Sequence, residues 1–189
     1  MYHVWFVGFT GLREQREAIL HRMADRIIHR GPDMEDYHIS GDDPRTAIAL
    51  GFRRLSIIDL AAGKQPMYNE DGTVVCVFNG EIYNFMDLRT ELQAKGHIFK
   101  THCDTEVIIH GYEEYGTALA ARLRGMFAFV VWDTKTNEVY GARDIFGIKP
   151  FYYTQTDAGE LLFGSEIKSL LEHPGFRREV NAEALRPYL

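Results

Sequence analysis

The chain has 189 residues, of which 46% are hydrophobic and 25% charged, a balance that excludes a disordered polymer and suits one domain. Lys and Arg number 21 against 27 Asp and Glu, and the net charge of -6 speaks against nucleic acid as a partner. No apolar run approaches the roughly 18 residues of a membrane span, the start lacks a charged-then-apolar signal, and Cys76 and Cys103 cannot build a disulfide framework, so a cytoplasmic chain without a membrane partner is expected.

In chain order, residues 4–9 form a short apolar run closed by Thr10 and Gly11, the pattern of a buried strand. Residues 14–29 carry Ile19, Met23 and Ile27 four apart, which predicts an amphipathic helix stopped by Gly31 and Pro32. Strands are expected at 37–40, at 46–52 and, after the Asp71-Gly72 turn, at 73–78. Residues 84–95 read as a helix through Phe85, Leu88 and Leu92, with Asn84 as cap and Gly96 as stop. A third helix opens near Asp104 and carries Val107, Ile108 and Tyr112. Strands at 127–132, 138–142, 151–153 and 161–164 follow, separated by Asn, Asp and Gly. A short helix around 166–171 and a capped helix start at Asn181 finish the chain, the last reading as an element cut off within a longer parent. Many short strands with turn-like connections and a few helices predict an α+β domain of mainly antiparallel sheets over residues 1–189.

Four segments are polar where a core wants apolar residues: 29–33 past a helix, 53–56 at a strand end, 78–84 between a strand and a helix, and 103–106 at a helix start. Singly, each has a plain structural reading: a turn at Asn79-Gly80, a cap at Asp104, solvated charges at Arg54 and His29. Together they describe a site for an α-amino acid. A guanidinium matches a carboxylate with forked donors, Glu81 and Asp104 can meet an ammonium, and Asn79 with the Gly80 amide can donate to a developing oxyanion. Neither cysteine sits in a metal-ligand spacing, and no metal site is expected.

The ordered set FVGFTG (6–11), HRGPD (29–33), RRLSIIDLAAGKQPM (53–67), FNGEIYN (78–84), DTEVI (104–108), RGMFAFVVWD (124–133), ARDIFGIKPFYY (142–153) and FGSEIKSL (163–170) resembles the N-terminal glutamine amidotransferase domain of glutamine-hydrolysing asparagine synthetases. The resemblance implies a class II amidotransferase of the N-terminal-nucleophile hydrolase superfamily, with a four-layer αββα sandwich. It further implies that Arg54 binds the glutamine α-carboxylate, that Asp104 and Glu81 hold the α-amine, and that Asn79 and Gly80 form the oxyanion hole. Ile57 and Ile58 would line the pocket through their backbone. Residues 29–33, Arg143 and Asp144 would be structural. No cofactor is implied in this domain; ATP and Mg²⁺ belong to the family's C-terminal synthetase domain, whose Ser-Gly-Gly-Leu-Asp-Ser loop is not found in this sequence. Glutamine, that synthetase domain and a second copy in a homodimer are the implied partners. Alternatives are a silent glutamine-binding scaffold and an amidotransferase domain serving another acceptor.

The resemblance breaks at one place. The family starts Met-Cys-Gly; the exposed cysteine thiol attacks the glutamine amide with its own α-amine as base, ammonia leaves as a thioester forms, and water then releases glutamate. Here Val4 stands at the cysteine position and Trp5 at the glycine position, where its side chain is expected to crowd the site. Cys103, beside Asp104, has no α-amine of its own to serve as base, and Cys76 reads as a small core residue. The residues His3, Val4 and Trp5 can be encoded CAT-GTG-TGG, which one base on reads ATG-TGT-GG, or Met-Cys-Gly. A single missing base would account for the departure.

Overall fold

Strand alternation organises the chain in the computed structural model, which describes residues 2–11, 14–41, 43, 46–56, 64–179 and 183, with backbone alone at 2–4 and 56. The elements are β1 (Tyr2–Thr10), α1 (Arg16–Asp25), β2 (Met34–Ser40), β3 (Ile48–Ser56), β4 (Met67–Tyr68), β5 (Val74–Ile82), α2 (Phe85–Ala94), α3 (Thr105–Tyr115), α4 (Leu119–Arg122), β6 (Gly125–Asp133), β7 (Glu138–Arg143), β8 (Tyr152–Gln155), β9 (Leu161–Gly164) and α5 (Ile167–Leu170). One sheet has the order β2-β3-β1-β9-β8, the other β4-β5-β6-β7, and the strand pairs in both are antiparallel.

The sheets stack face to face, and side chains alternate between two environments along each strand. Phe6, Ile48, Leu50 and Phe52 of the first sheet meet Val75, Val77, Ala128, Val130 and Trp132 of the second in the inner core. The opposite positions build two outer cores. Val7, Phe9 and Ala49 pack under Ile19, Leu20, Met23 and Ile27 of the α1 region, while Val74, Cys76, Phe78, Phe127, Phe129 and Val131 pack under Leu88 and Leu92 of α2 and Val107, Ile108 and Ile109 of α3. The result is helix, sheet, sheet, helix: four layers, as expected.

Several boundaries differ from expectation, each for a local reason. The first helix is shorter, because Gln15 adopts φ 60° at its start. At its other end the chain tightens into i→i+3 turns from Ile27 to Gly31. The segment 79–82 is not a turn between strand and helix: β5 runs through it, with Asn79, Gly80 and Glu81 in register with Ala128, Phe127 and Met126 of β6. The Asn-Gly turn signal yields to a cross-strand partner. Asn84 and Asp104 do not cap helices through their side chains. Asn84 instead donates to Arg122 O and accepts from Arg124 N, and Asp104 accepts from Ile82 N. The helix start expected at Asn181 lies outside the described residues, except Glu183.

Candidate functional site

Period-two alternation decides which polar residues look into the space between the sheets. Phe52 faces the inner core, so Arg54, two residues on, takes the same face, whereas Arg53 turns outward to Asp25 and Glu35, each at 2.5 Å. On β5, Val75 and Val77 face inward, so Asn79 and Glu81 continue that face from the other sheet. β1 and β3 pack across β5, which sets the two groups on facing layers.

Arg54 is fully buried, the largest side chain so enclosed among the described residues. Its backbone is held on three sides: Val4 pairs with it from β1, Met34 from β2, and Asp33 N donates to its carbonyl at 3.1 Å. Gly31 packs so closely that a Cβ there would lie 2.4 Å from Arg54 N. This gives residues 29–33 the structural part expected of them. His29 and Arg30 fasten the same segment to Glu166, at 3.2 and 2.8 Å.

Asn79 is 1% exposed, yet neither Oδ1 nor Nδ2 of its amide has a hydrogen-bond partner among the described residues. A buried amide that makes no bond to its own chain keeps both its donor and its acceptor for an outside partner. Its strand is clamped next door by Gln65, whose side chain donates to Phe78 O at 3.0 Å and accepts from Phe78 N at 2.7 Å. Gly80 is forced by space: a Cβ would sit 2.2 Å from Met126 O and 2.7 Å from Phe127 Cα. Backbone of β6 thus lies where any side chain would have to go.

Asp104 reaches the end of β5 from the start of α3 and accepts from Ile82 N at 2.9 Å. Burial pushes its carboxyl above the usual range, and the nearby Glu81 charge adds to the shift. Lys149, in the turn between β7 and β8, is pulled below its usual range by burial, while Glu81 and Asp144 oppose that. Two carboxylates and a partly desolvated ammonium therefore share one neighbourhood. Lys149 and Gln65 were not singled out from sequence. Each is brought in by a loop whose course depends on distant partners.

Ile57 and Ile58 lie outside the described residues. Val4 occupies a mid-ladder position opposite Arg54, two residues before the inward Phe6. Trp5 does not crowd the space between the sheets: it packs against the outer core beneath the Arg30 guanidinium, 4.6 Å from the ring centroid. Cys76 is fully buried, and desolvation pushes its thiol well up. Cys103 Sγ contacts Thr101 Oγ1 at 3.0 Å. Arg143 and Asp144 shape a loop, as expected. Arg143 donates to Lys149 O and Gly147 O, and Asp144 accepts from the N–H groups of Phe127, Phe146, Ile148 and Lys149. Among the described residues, one group has metal-ligand spacing, His97, His110 and Glu113, and it lies on α3 and the α2–α3 link, outside this site.

Two stacked antiparallel sheets between helical layers make the four-layer sandwich fold of the N-terminal-nucleophile hydrolases. Solved structures agree on the fold. Glutamine phosphoribosylpyrophosphate amidotransferase from B. subtilis superposes with a TM-score of 0.66 at 18% identity, over 88% of this chain and 42% of its own. A second structure, described as the allosteric regulatory enzyme of purine biosynthesis, gives 0.68 at 18% identity, over 89% and 43%. The profile described as "Glutamine amidotransferase domain" matches residues 5–189, and the chain belongs to that family. Among curated proteins it is 49% identical over 163 residues to asparagine synthetase [glutamine-hydrolyzing] 2 of Bacillus subtilis (strain 168), covering 86% of this chain and 21% of that protein. It is 45% identical over 164 residues to asparagine synthetase [glutamine-hydrolyzing] of Zea mays, covering 87% and 27%. The chain thus spans less than a third of the length of these relatives.

Proposed function

We propose that this chain is the glutamine-handling domain of an asparagine synthetase, and that as written it holds glutamine without hydrolysing it. The carrying observation is the orphaned, buried Asn79 amide on the inner face it shares with Arg54 and Glu81, with Asp104 close by. The polar groups match the ends of one amino acid. The α-carboxylate goes to the Arg54 fork, the α-ammonium to Glu81 and Asp104, and the side-chain amide oxygen to Asn79 and the Gly80 N–H.

Hydrolysis needs a nucleophile and a base on the same residue, and Val4 supports neither. Its side chain has no electron pair to donate, and its nitrogen belongs to a peptide bond after His3. In a complete family member, the ammonia passes to aspartate in a synthetase portion that uses ATP and Mg²⁺. No residue of this chain takes part in that step. A cytoplasmic setting and a homodimeric parent belong to the same reading.

Calorimetry with glutamine, coupled to a glutamate-release assay, tests it. The unaltered chain is expected to bind glutamine and release no glutamate. A variant lacking residues 2 and 3, with Val4→Cys and Trp5→Gly so that it begins Met-Cys-Gly, is expected to release glutamate and ammonia. Turnover by the unaltered chain overturns the assignment of Val4, and absence of binding in both overturns the pocket. Sequencing the gene bears on origin: codons other than CAT, GTG and TGG at positions 3–5 rule out the single-base slip.

A further inference from the structure

The link between α2 and α3 holds a second constellation, independent of the glutamine reading. Gly96, at φ +102°, ends α2 and sets His97 beside the face of α3 that carries Glu106, His110, Glu113 and Glu114. Two imidazole nitrogens converge on one carboxylate oxygen: His110 Nδ1 lies 3.0 Å and His97 Nδ1 3.6 Å from Glu113 Oε2. The ligand atoms of the three residues are all within 4.8 Å of one another. Bonds of about 2.0–2.1 Å to a tetrahedral ion place neighbouring donors roughly 3.3–3.5 Å apart, so small side-chain shifts close the site.

The far nitrogen of each ring is also provided for. His97 Nε2 faces Glu114 Oε2 at 3.5 Å, and His110 Nε2 faces Glu70 Oε1 at 3.7 Å and Glu106 Oε1 at 3.8 Å. Behind His97 the carboxylate keeps the proton on that side and turns the other lone pair toward an ion, the arrangement metal-bound histidines use, while the two carboxylates behind His110 stand beyond hydrogen-bond reach and favour the same tautomer by charge. Glu113 is steadied through its second oxygen, which accepts from Asn69 Nδ2 at 2.8 Å. His110 is buried, with Phe99 edge-on at 4.6 Å, while Glu113 opens to solvent and leaves an approach for the ion and a water ligand. Two imidazoles and one carboxylate, ringed by three more carboxylates, suit a borderline divalent ion and not a hard one such as Mg²⁺.

We propose that His97, His110 and Glu113 bind a divalent transition-metal ion of the zinc class, with Glu114, Glu70 and Glu106 orienting the two rings, and that the ion staples α2 to α3. The test uses the full chain without a histidine tag, stripped by chelator and titrated with Zn²⁺ by calorimetry and with Co²⁺ by visible absorption. One equivalent of Zn²⁺ is expected at micromolar affinity or tighter, with Co²⁺ bands of low coordination number that Zn²⁺ displaces, and a raised melting temperature. His97→Ala and Glu113→Gln, both on the solvent side of the cluster, are each expected to weaken binding at least about 10-fold; Glu114→Gln is expected to weaken it about 10-fold through the ring it orients. His110 is buried, so its replacement is not relied upon. Zn²⁺ affinity equal in the unaltered chain, His97→Ala and Glu113→Gln, or the absence of any Co²⁺ band, overturns the proposal.

Discussion

At single positions, the site separates stability from chemistry. The Asn79 amide has no partner among the described residues, so Asn79→Ala removes a polar burden with little bonding to lose. In the Met-Cys-Gly variant, Asn79→Ala is expected to lower turnover by about 10²–10³-fold while the urea midpoint stays put or rises. Gly80 behaves in the opposite way. Gly80→Ala drives a Cβ into β6 backbone 2.2 Å away, and the urea midpoint is expected to fall by the equivalent of about 1–3 kcal/mol. Asp104 adds a pH signature, because its carboxyl is raised by burial and by Glu81. An ammonium ligand prefers the ionised carboxylate, so glutamine affinity measured by calorimetry is expected to weaken as pH falls through that raised range. Asp104→Asn is expected to flatten the pH profile and weaken binding by about 2–5 kcal/mol.

Among the elements, the turn between β7 and β8 is organised by one carboxylate. Burial opposes ionisation of Asp144, but the N–H groups of Lys149, Ile148, Phe127 and Phe146 outweigh it and hold its carboxyl below the usual range. A folded value lower than the unfolded one gives stability that is complete above the unfolded value, near 3.8, and lost as pH falls through the folded one. Asp144→Asn is expected to lower the melting temperature at neutral pH and to reduce the loss of stability on acidification, both measurable by calorimetric scans. The strands themselves were legible in the sequence, because both faces of β5 and β6 are apolar and their neighbours alternate. Arg54, Asn79 and Glu81 stood out for the same reason, as polar residues continuing apolar strands. The fine structure was not legible. Asn84 and Asp104 have the chemistry of caps, yet their side chains meet Arg124 N and Ile82 N, donors that only the assembled sheets bring near. His97 and His110 are 13 positions apart, with the link and the start of α3 between them, so no local spacing announced their meeting.

Across the whole molecule, one stretch of chain stands out for exposed apolar side chains. Ile145 is 93% exposed and Phe146 84%, with Ile148 and Tyr153 in the same stretch of chain also exposed. Exposed apolar side chains grouped in this way favour self-association. Sedimentation of the 189-residue chain is expected to show concentration-dependent self-association, reduced in the double variant Ile145→Ser, Phe146→Ser. β5 lies at the other extreme: helices cover one of its faces, the first sheet covers the other, β6 pairs along its whole length, and β4 covers Val75 and Cys76 on the opposite edge. Its amide protons that face β6 are therefore expected to exchange with deuterium among the slowest in the chain and to track global unfolding. Asn79 and Glu81 are mounted on that strand, and their half of the proposed site is therefore a fixed template against which an incoming molecule would be measured.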